Sequence, residues 1–211
     1  MSATTSSTTV IDLLRHGEPV GGRRYRGQTD DPLSEKGWQQ MRAAIREQGE
    51  WSVIYSSSLK RCVEFARDVA TQRTLPLHVE PRLMEIGFGV WEGRTPDDLR
   101  QEDPSRLERF WRDPVNNRPE GAETLIAFRD RVASVWQDIL TTEAGKHVLI
   151  VGHAGITRLI MTLVLGSPLE NLFRIQVDNA GLTRVRVQGF GADAFPVLSF
   201  HGRHSLTPWS Y

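Results

Sequence analysis

The residues equipped for chemistry stand where apolar runs stop. Val10, Ile11, Asp12, Leu13 and Leu14 give way at once to Arg15, His16 and Gly17. His147 to Val151 gives way to Gly152, His153, Ala154 and Gly155. Val53, Ile54 and Tyr55 give way to Ser56, Ser57 and Ser58, with Arg61 close behind. A guanidinium keeps its charge and forks onto an oxyanion through two parallel hydrogen bonds. Neutral imidazole is a nucleophile near neutral pH. Two arginines and two histidines together would suit a phosphoryl dianion. His16 is then the expected acceptor of the phosphoryl group, while Arg15, Arg61 and His153 stabilise charge on its equatorial oxygens. A carboxylic acid must protonate the leaving oxygen and afterwards activate water. Glu85 is the candidate, with Glu92 as the alternative.

For these groups to meet, their runs must be strands of one parallel sheet, whose carboxyl ends share a rim. The rest of the pattern agrees. Ser34 is placed to cap a helix running through Gln48, with Trp38, Met41 and Ile45 on one face and Gly49 as its stop. Further helices are expected from Leu59 to about Gln72, from Glu123 to about Thr142, and over Ile156, Leu159, Ile160 and Leu163. Leu77–Val79 reads as a strand, and Phe173–Val177, Leu182–Val187 and Phe195–Phe200 as late strands. Strands alternating with helices predict a single α/β domain, a three-layer α/β/α sandwich with a mainly parallel sheet and an antiparallel edge. Residues 1–9 read as a flexible leader. A small covering insert is expected at about 94–120, with Phe110 and Trp111 packed on a shared face.

Composition bounds the rest. In 211 residues, 39% are hydrophobic and 25% charged, which provides for a packed core. The formal net charge is zero, against broad nucleic-acid binding. No apolar run is long enough to cross a bilayer, and the start lacks the pattern of a signal peptide. Cys62 is the single cysteine and falls on a helical apolar stripe, so it is read as a buried hydrophobe and the cytoplasm as the compartment. His78 and His147 are read as structural, and the histidines show no zinc spacing. Arg23, Arg24 and Arg26 serve equally as a solvated loop or as a grip on substrate.

The motifs also follow an order. Leu14–Glu18, Tyr25–Asp30, Pro32–Gly37, Tyr55–Arg61, Leu83–Gly93 and Val151–Gly155 resemble, in sequence and succession, the histidine phosphatase superfamily, also called phosphoglycerate mutase-like. The resemblance implies that fold, a phosphohistidine at His16, a phosphate pocket of Arg15, Arg61 and His153, and Glu85 as proton donor. It implies no metal or organic cofactor, a small-molecule phosphoester as substrate, and allows a homodimer. Ala154 joins the substrate contacts. Many members carry Asn and Ser or Thr where this chain has Gly22 and Pro19, which implies that one accessory phosphate contact is either missing or replaced by Gln28 or a loop arginine. The stretch ending Trp91, Glu92 and Gly93 is similar to the phosphatase branches. Tyr25–Gly37, Trp111 and Pro119–Thr124 are similar to α-ribazole phosphatases, which makes α-ribazole 5′-phosphate the leading substrate. A phosphoglycerate mutase-type transfer and a non-catalytic module for phosphorylated ligands are the alternatives.

Overall fold

The structure is a computed structural model that describes residues 8–46, 49–189 and 191–203. Strands β1 (Thr8–Arg15), β2 (Val53–Ser56), β3 (Leu77–Val79), β4 (His147–Gly152), β5 (Leu182–Gln188) and β6 (Phe195–Arg203) form one sheet in the order β3-β2-β4-β1-β5-β6. β1 to β4 are parallel, and β5 and β6 add the antiparallel edge. β1 begins earlier than the sequence suggested: Thr8 and Thr9 already pair with Gln188 and Val187. The remainder of the expected leader lies outside the described residues.

Strand alternation produces the three layers. Val148 and Ile150 of β4 face one side, with Ile11 and Leu13 of β1; Leu149 and Val151 face the other, with Leu14. Helices α5 (Leu125–Thr142) and α6 (Ala154–Leu165) cover the first side through Phe128, Val132, Ile156 and Leu159. Helices α1 (Glu35–Ala44) and α2 (Lys60–Arg73) cover the second through Met41, Cys62, Phe65 and Val69. Ser34 does cap α1, its Oγ accepting the Gly37 N–H at 3.0 Å, and Thr124 caps α5 in the same way at 3.1 Å. α1 ends at Ala44, short of the expected stop, and Gln48 lies outside the described residues. Arg73 takes the carbonyls of Ile45 and Gly49, at 3.1 and 3.2 Å, in place of further helix turns.

The insert is two short helices, α3 (Pro96–Glu102) and α4 (Arg106–Arg112). They have a small core of their own, Leu99, Leu107 and Phe110 against Trp91. Phe110 and Trp111 do not share a face: Phe110 is buried, and Trp111 is 44% exposed. The strand expected over Phe173–Val177 is absent. Leu169–Arg174 is a 3-10 turn, followed by irregular chain. The carbonyls of Ile175 and Val177 are bonded to Arg158 and Arg15, so they are not available to a ladder.

One strand residue breaks the apolar pattern. Asp12 is fully buried, yet it accepts from Trp51 Nε1 at 2.8 Å, His147 Nε2 at 2.9 Å and Arg184 Nε at 2.7 Å. Burial pushes its carboxyl up, but hydrogen bonds and charge from Arg184 and His147 outweigh that and hold it below the usual range. His147 is therefore part of the scaffold.

Candidate active site

Register places the candidate residues. Arg15 pairs with Gly152 where β1 and β4 end, so His16 and His153 leave the sheet side by side. Their ring centroids are 5.2 Å apart, although 137 positions separate them in the chain (153 − 16). Ser56 ends β2 beside Val151, which delivers Ser57 and the first turn of α2 to the same rim. Arg15, His16, Arg61, Glu85 and Ala154 all line one cleft of about 330 Å³, a size suited to a small molecule. Its outer wall is Tyr25, Phe88, Phe110, Trp111 and Phe173.

His16 Nδ1 lies 2.7 Å from the Gly17 carbonyl. A carbonyl only accepts, so Nδ1 carries the proton. Burial, then the charges of Arg15 and Arg61, hold the His16 pKa well below 6.5, so the ring is neutral. Nε2 then keeps its lone pair. Gly17 has a steric reason to be glycine: a Cβ there would run into the backbone of Gly37. His153 is fully buried, with Nε2 2.8 Å from Ser57 Oγ. Burial and the charge of Arg61 lower its pKa as well. Cys62 packs against this ring and is buried as expected; burial pushes its thiol up to about 12.

The two arginines are fixed by carbonyls rather than by acids. Arg61 donates to Thr29 O at 2.7 Å and Gly27 O at 2.6 Å, and Arg15 to Val177 O at 2.6 Å. Among the described residues, Arg15 Nε and Arg61 Nε are the buried side-chain nitrogens with no partner. Both residues line the cleft, which therefore has two buried guanidinium groups with no acid hydrogen-bonded to them, the charge an oxyanion requires. Burial pushes Arg15 down to about 10, which leaves it charged at neutral pH.

The two carboxylates differ in surroundings. Glu85 lines the cleft, its Oε2 accepting the Gly155 N–H at 3.1 Å and Oε1 the Ile86 N–H at 3.0 Å. Glu92 does not line it; it clasps the backbone of Gln28, Thr29 and Phe88. Gln28 does not line the cleft either. It is exposed, and its amide points to the Glu85 carbonyl at 3.4 Å. Arg23, Arg24 and Arg26 do line it, although Arg26 is tied to Asp31 and to the carbonyls of Val20 and Gly22. The sequence reading missed Arg158. It follows Ala154 by four residues, and that helical spacing was the available signal for a residue on the cleft side of α6.

The chain belongs to the histidine phosphatase superfamily, whose branch 1 family model matches residues 11–194. A bifunctional protein of Mycobacterium tuberculosis is 31% identical over 195 residues, covering 90% of this chain and 53% of that protein; the chain thus spans about half the length of that relative. A probable phosphoglycerate mutase of Yersinia pestis is 33% identical over 188 residues, covering 84% and 85% of the two chains. Among solved structures, YhfR of Bacillus stearothermophilus matches with a TM-score of 0.81 at 33% identity, over 93% of this chain and 98% of that one. The α-ribazole phosphatase of Shigella flexneri matches at 0.79 and 26% identity, over 95% and 100%.

Proposed function

We propose that the protein is a small-molecule phosphomonoesterase that works through a phosphohistidine at His16. The observation that carries the reading is the neutral His16 ring, held by Gly17, in one cleft with the guanidinium groups of Arg15 and Arg61 and the carboxyl group of Glu85. In the first step His16 Nε2 attacks phosphorus. The N–P bond forms as the ester P–O bond breaks, and Glu85 gives its proton to the departing oxygen. Arg15, Arg61 and His153 hold the equatorial oxygens as their charge spreads. In the second step Glu85 takes a proton from water, the hydroxide attacks phosphorus, and the N–P bond breaks. Phosphate leaves, and His16 returns to its neutral form.

The likenesses suggest two kinds of alcohol. α-Ribazole 5′-phosphate would lay its ring system against the exposed face of Trp111, and the Shigella likeness supports it. Phosphoglycerate, transferred rather than hydrolysed, is the reading favoured by the Yersinia relative. A screen measuring phosphate release against transfer to an added acceptor alcohol separates hydrolysis from mutase-type transfer. Hydrolysis should dominate, and His16→Ala should abolish it in a protein that still folds. Full activity in that variant would end the proposal. Tight phosphate binding without turnover of any ester would make the protein a binding module.

A further inference from the structure

The cleft holds more cationic donors than a phosphoryl group uses. On the proposed mechanism, Arg15 and Arg61 are the cations assigned to the group being transferred. Arg158 also lines the cleft and is partly buried. Its Nε donates to the Ile175 carbonyl at 2.8 Å, and its guanidinium lies over the Phe173 ring at 5.6 Å. One edge and one face are thus fixed, and neither Nη group has a hydrogen-bond partner among the described residues. Among the described residues no carboxylate forms an ion pair with it, although Glu85 acts on its charge through space. Glu85 is the acid of this cleft, and its oxygens are engaged by Gly155 and Ile86.

The surplus continues outward. The cleft opens into a groove between the Pro19–Arg26 loop and residues 173–179, where Arg23 and Arg174 stand exposed without a hydrogen bond or ion pair among the described residues. Glu18 and Asp178 line that groove; Glu18 is paired with Lys36, while Asp178 accepts from Gln176 and acts on the charge of Arg15 rather than on Arg23 or Arg174 through an ion pair. The Arg158 guanidinium loses hydration on burial, and Glu85 acts on it only through space, without a hydrogen bond or ion pair, so a ligand anion bound at its Nη groups would offset the remaining cost. Burial lowers the Arg158 pKa, in keeping with that cost.

We propose that the alcohol half of the substrate carries a second oxyanion, a carboxylate or a second phosphate, which the paired Nη groups of Arg158 receive while Arg23 and Arg174 add charge at the mouth. This rests on the phosphomonoesterase reading and narrows it to esters with an anion at each end. A planar fork seated on an aromatic face and held at Nε is already oriented for bidentate contact, so little rotamer freedom is lost on binding. Esters with a neutral alcohol half, α-ribazole 5′-phosphate among them, would leave the fork unused.

The test is a matched series: ω-carboxyalkyl phosphates of graded chain length against ω-hydroxyalkyl phosphates of the same lengths, with alkane bisphosphates as the second-phosphate arm. The wild type should favour one anionic series by about tenfold or more in kcat/KM, and which series wins says which oxyanion fits. Arg158→Gln should lose about 10- to 100-fold on that series and much less on the neutral one, so that the ratio collapses. Arg158→Lys should keep part of the preference, and Arg174→Gln, altered at an exposed position, should shrink it less. Equal losses on both series would make Arg158 a holder of the transferred phosphate and overturn the proposal, as would a wild type with no preference. If no ester is turned over, the phosphatase reading fails separately. Calorimetric binding of the same pairs to the His16→Ala protein then decides the subsite, with equal affinities refuting it.

Discussion

Replacing Glu85 by Gln separates the two jobs assigned to that residue. The shape is kept, but the amide can neither give a proton to the leaving oxygen nor take one from water. Loss of a general acid costs about 10²- to 10⁴-fold, or about 3–5 kcal/mol of barrier, on an alkyl phosphate whose alkoxide leaves poorly. p-Nitrophenolate needs little protonation, so its first step should fall far less. The second step still lacks its base. An assay in a stopped-flow instrument should therefore show p-nitrophenol released in a burst equal to the enzyme concentration, then a slow phase. The structure adds a stability cost. Glu85 accepts from both Ile86 and Gly155 N–H groups, and the Gln amide nitrogen must face one of them. One unsatisfied donor costs about 1–3 kcal/mol. Equal losses on alkyl and aryl esters without a burst would refute the assignment. So would the same leaving-group pattern in Glu92→Gln, whose carboxylate is committed to the backbone of Gln28, Thr29 and Phe88.

Three further outcomes follow from the same geometry. A Cβ on Gly155 would collide with the Glu85 carboxylate, so Gly155→Ala should lose at least about tenfold on alkyl phosphates and copy the Glu85→Gln pattern; an unchanged rate would place Glu85 elsewhere. His16 and His153 resist protonation when folded, and both gain protons in the unfolded chain below their usual value of 6.5. Their contribution is complete above that pH and is lost as pH falls below it, by about 1.4 kcal/mol per pH unit for each ring. Urea titrations of His16→Gln should show a slope about one proton shallower than the wild type in that window; identical slopes would contradict the neutral ring. Arg184→Leu should cost about 3 kcal/mol by stranding buried Asp12, measured by thermal melting, while activity per folded molecule persists; undiminished stability would deny Asp12 its structural part.

Sequence alone located the residues that a strand end must deliver. An apolar run stopping at Arg15-His16, and another at Gly152-His153, fix both position and direction, because a parallel sheet sends all such ends to one rim. The strands and layers were legible for the same reason. Where propensity met tertiary demand, the reading failed. Phe173, Ile175 and Val177 alternate as a strand would, but their segment serves as a holder for Arg15 and Arg158. Asp12 passed as one polar residue in an apolar run, since its partners Trp51, His147 and Arg184 come from three distant segments. Glu85 and Glu92 could not be separated by spacing, because only folding turns one into the cleft and the other onto backbone N–H groups. Gln28 was misplaced by the same loop, and Trp111 parted from Phe110 because adjacent residues on a short helix face different ways.

The account stands or falls on a covalent bond to one ring nitrogen. Rapid quenching in base during turnover of a radiolabelled phosphomonoester, followed by peptide mapping, measures it directly. The account predicts an acid-labile, alkali-stable phosphoryl group on His16 that appears at the burst rate and is absent from His16→Ala. Label on any other residue, or steady-state hydrolysis with no label on His16, would contradict it.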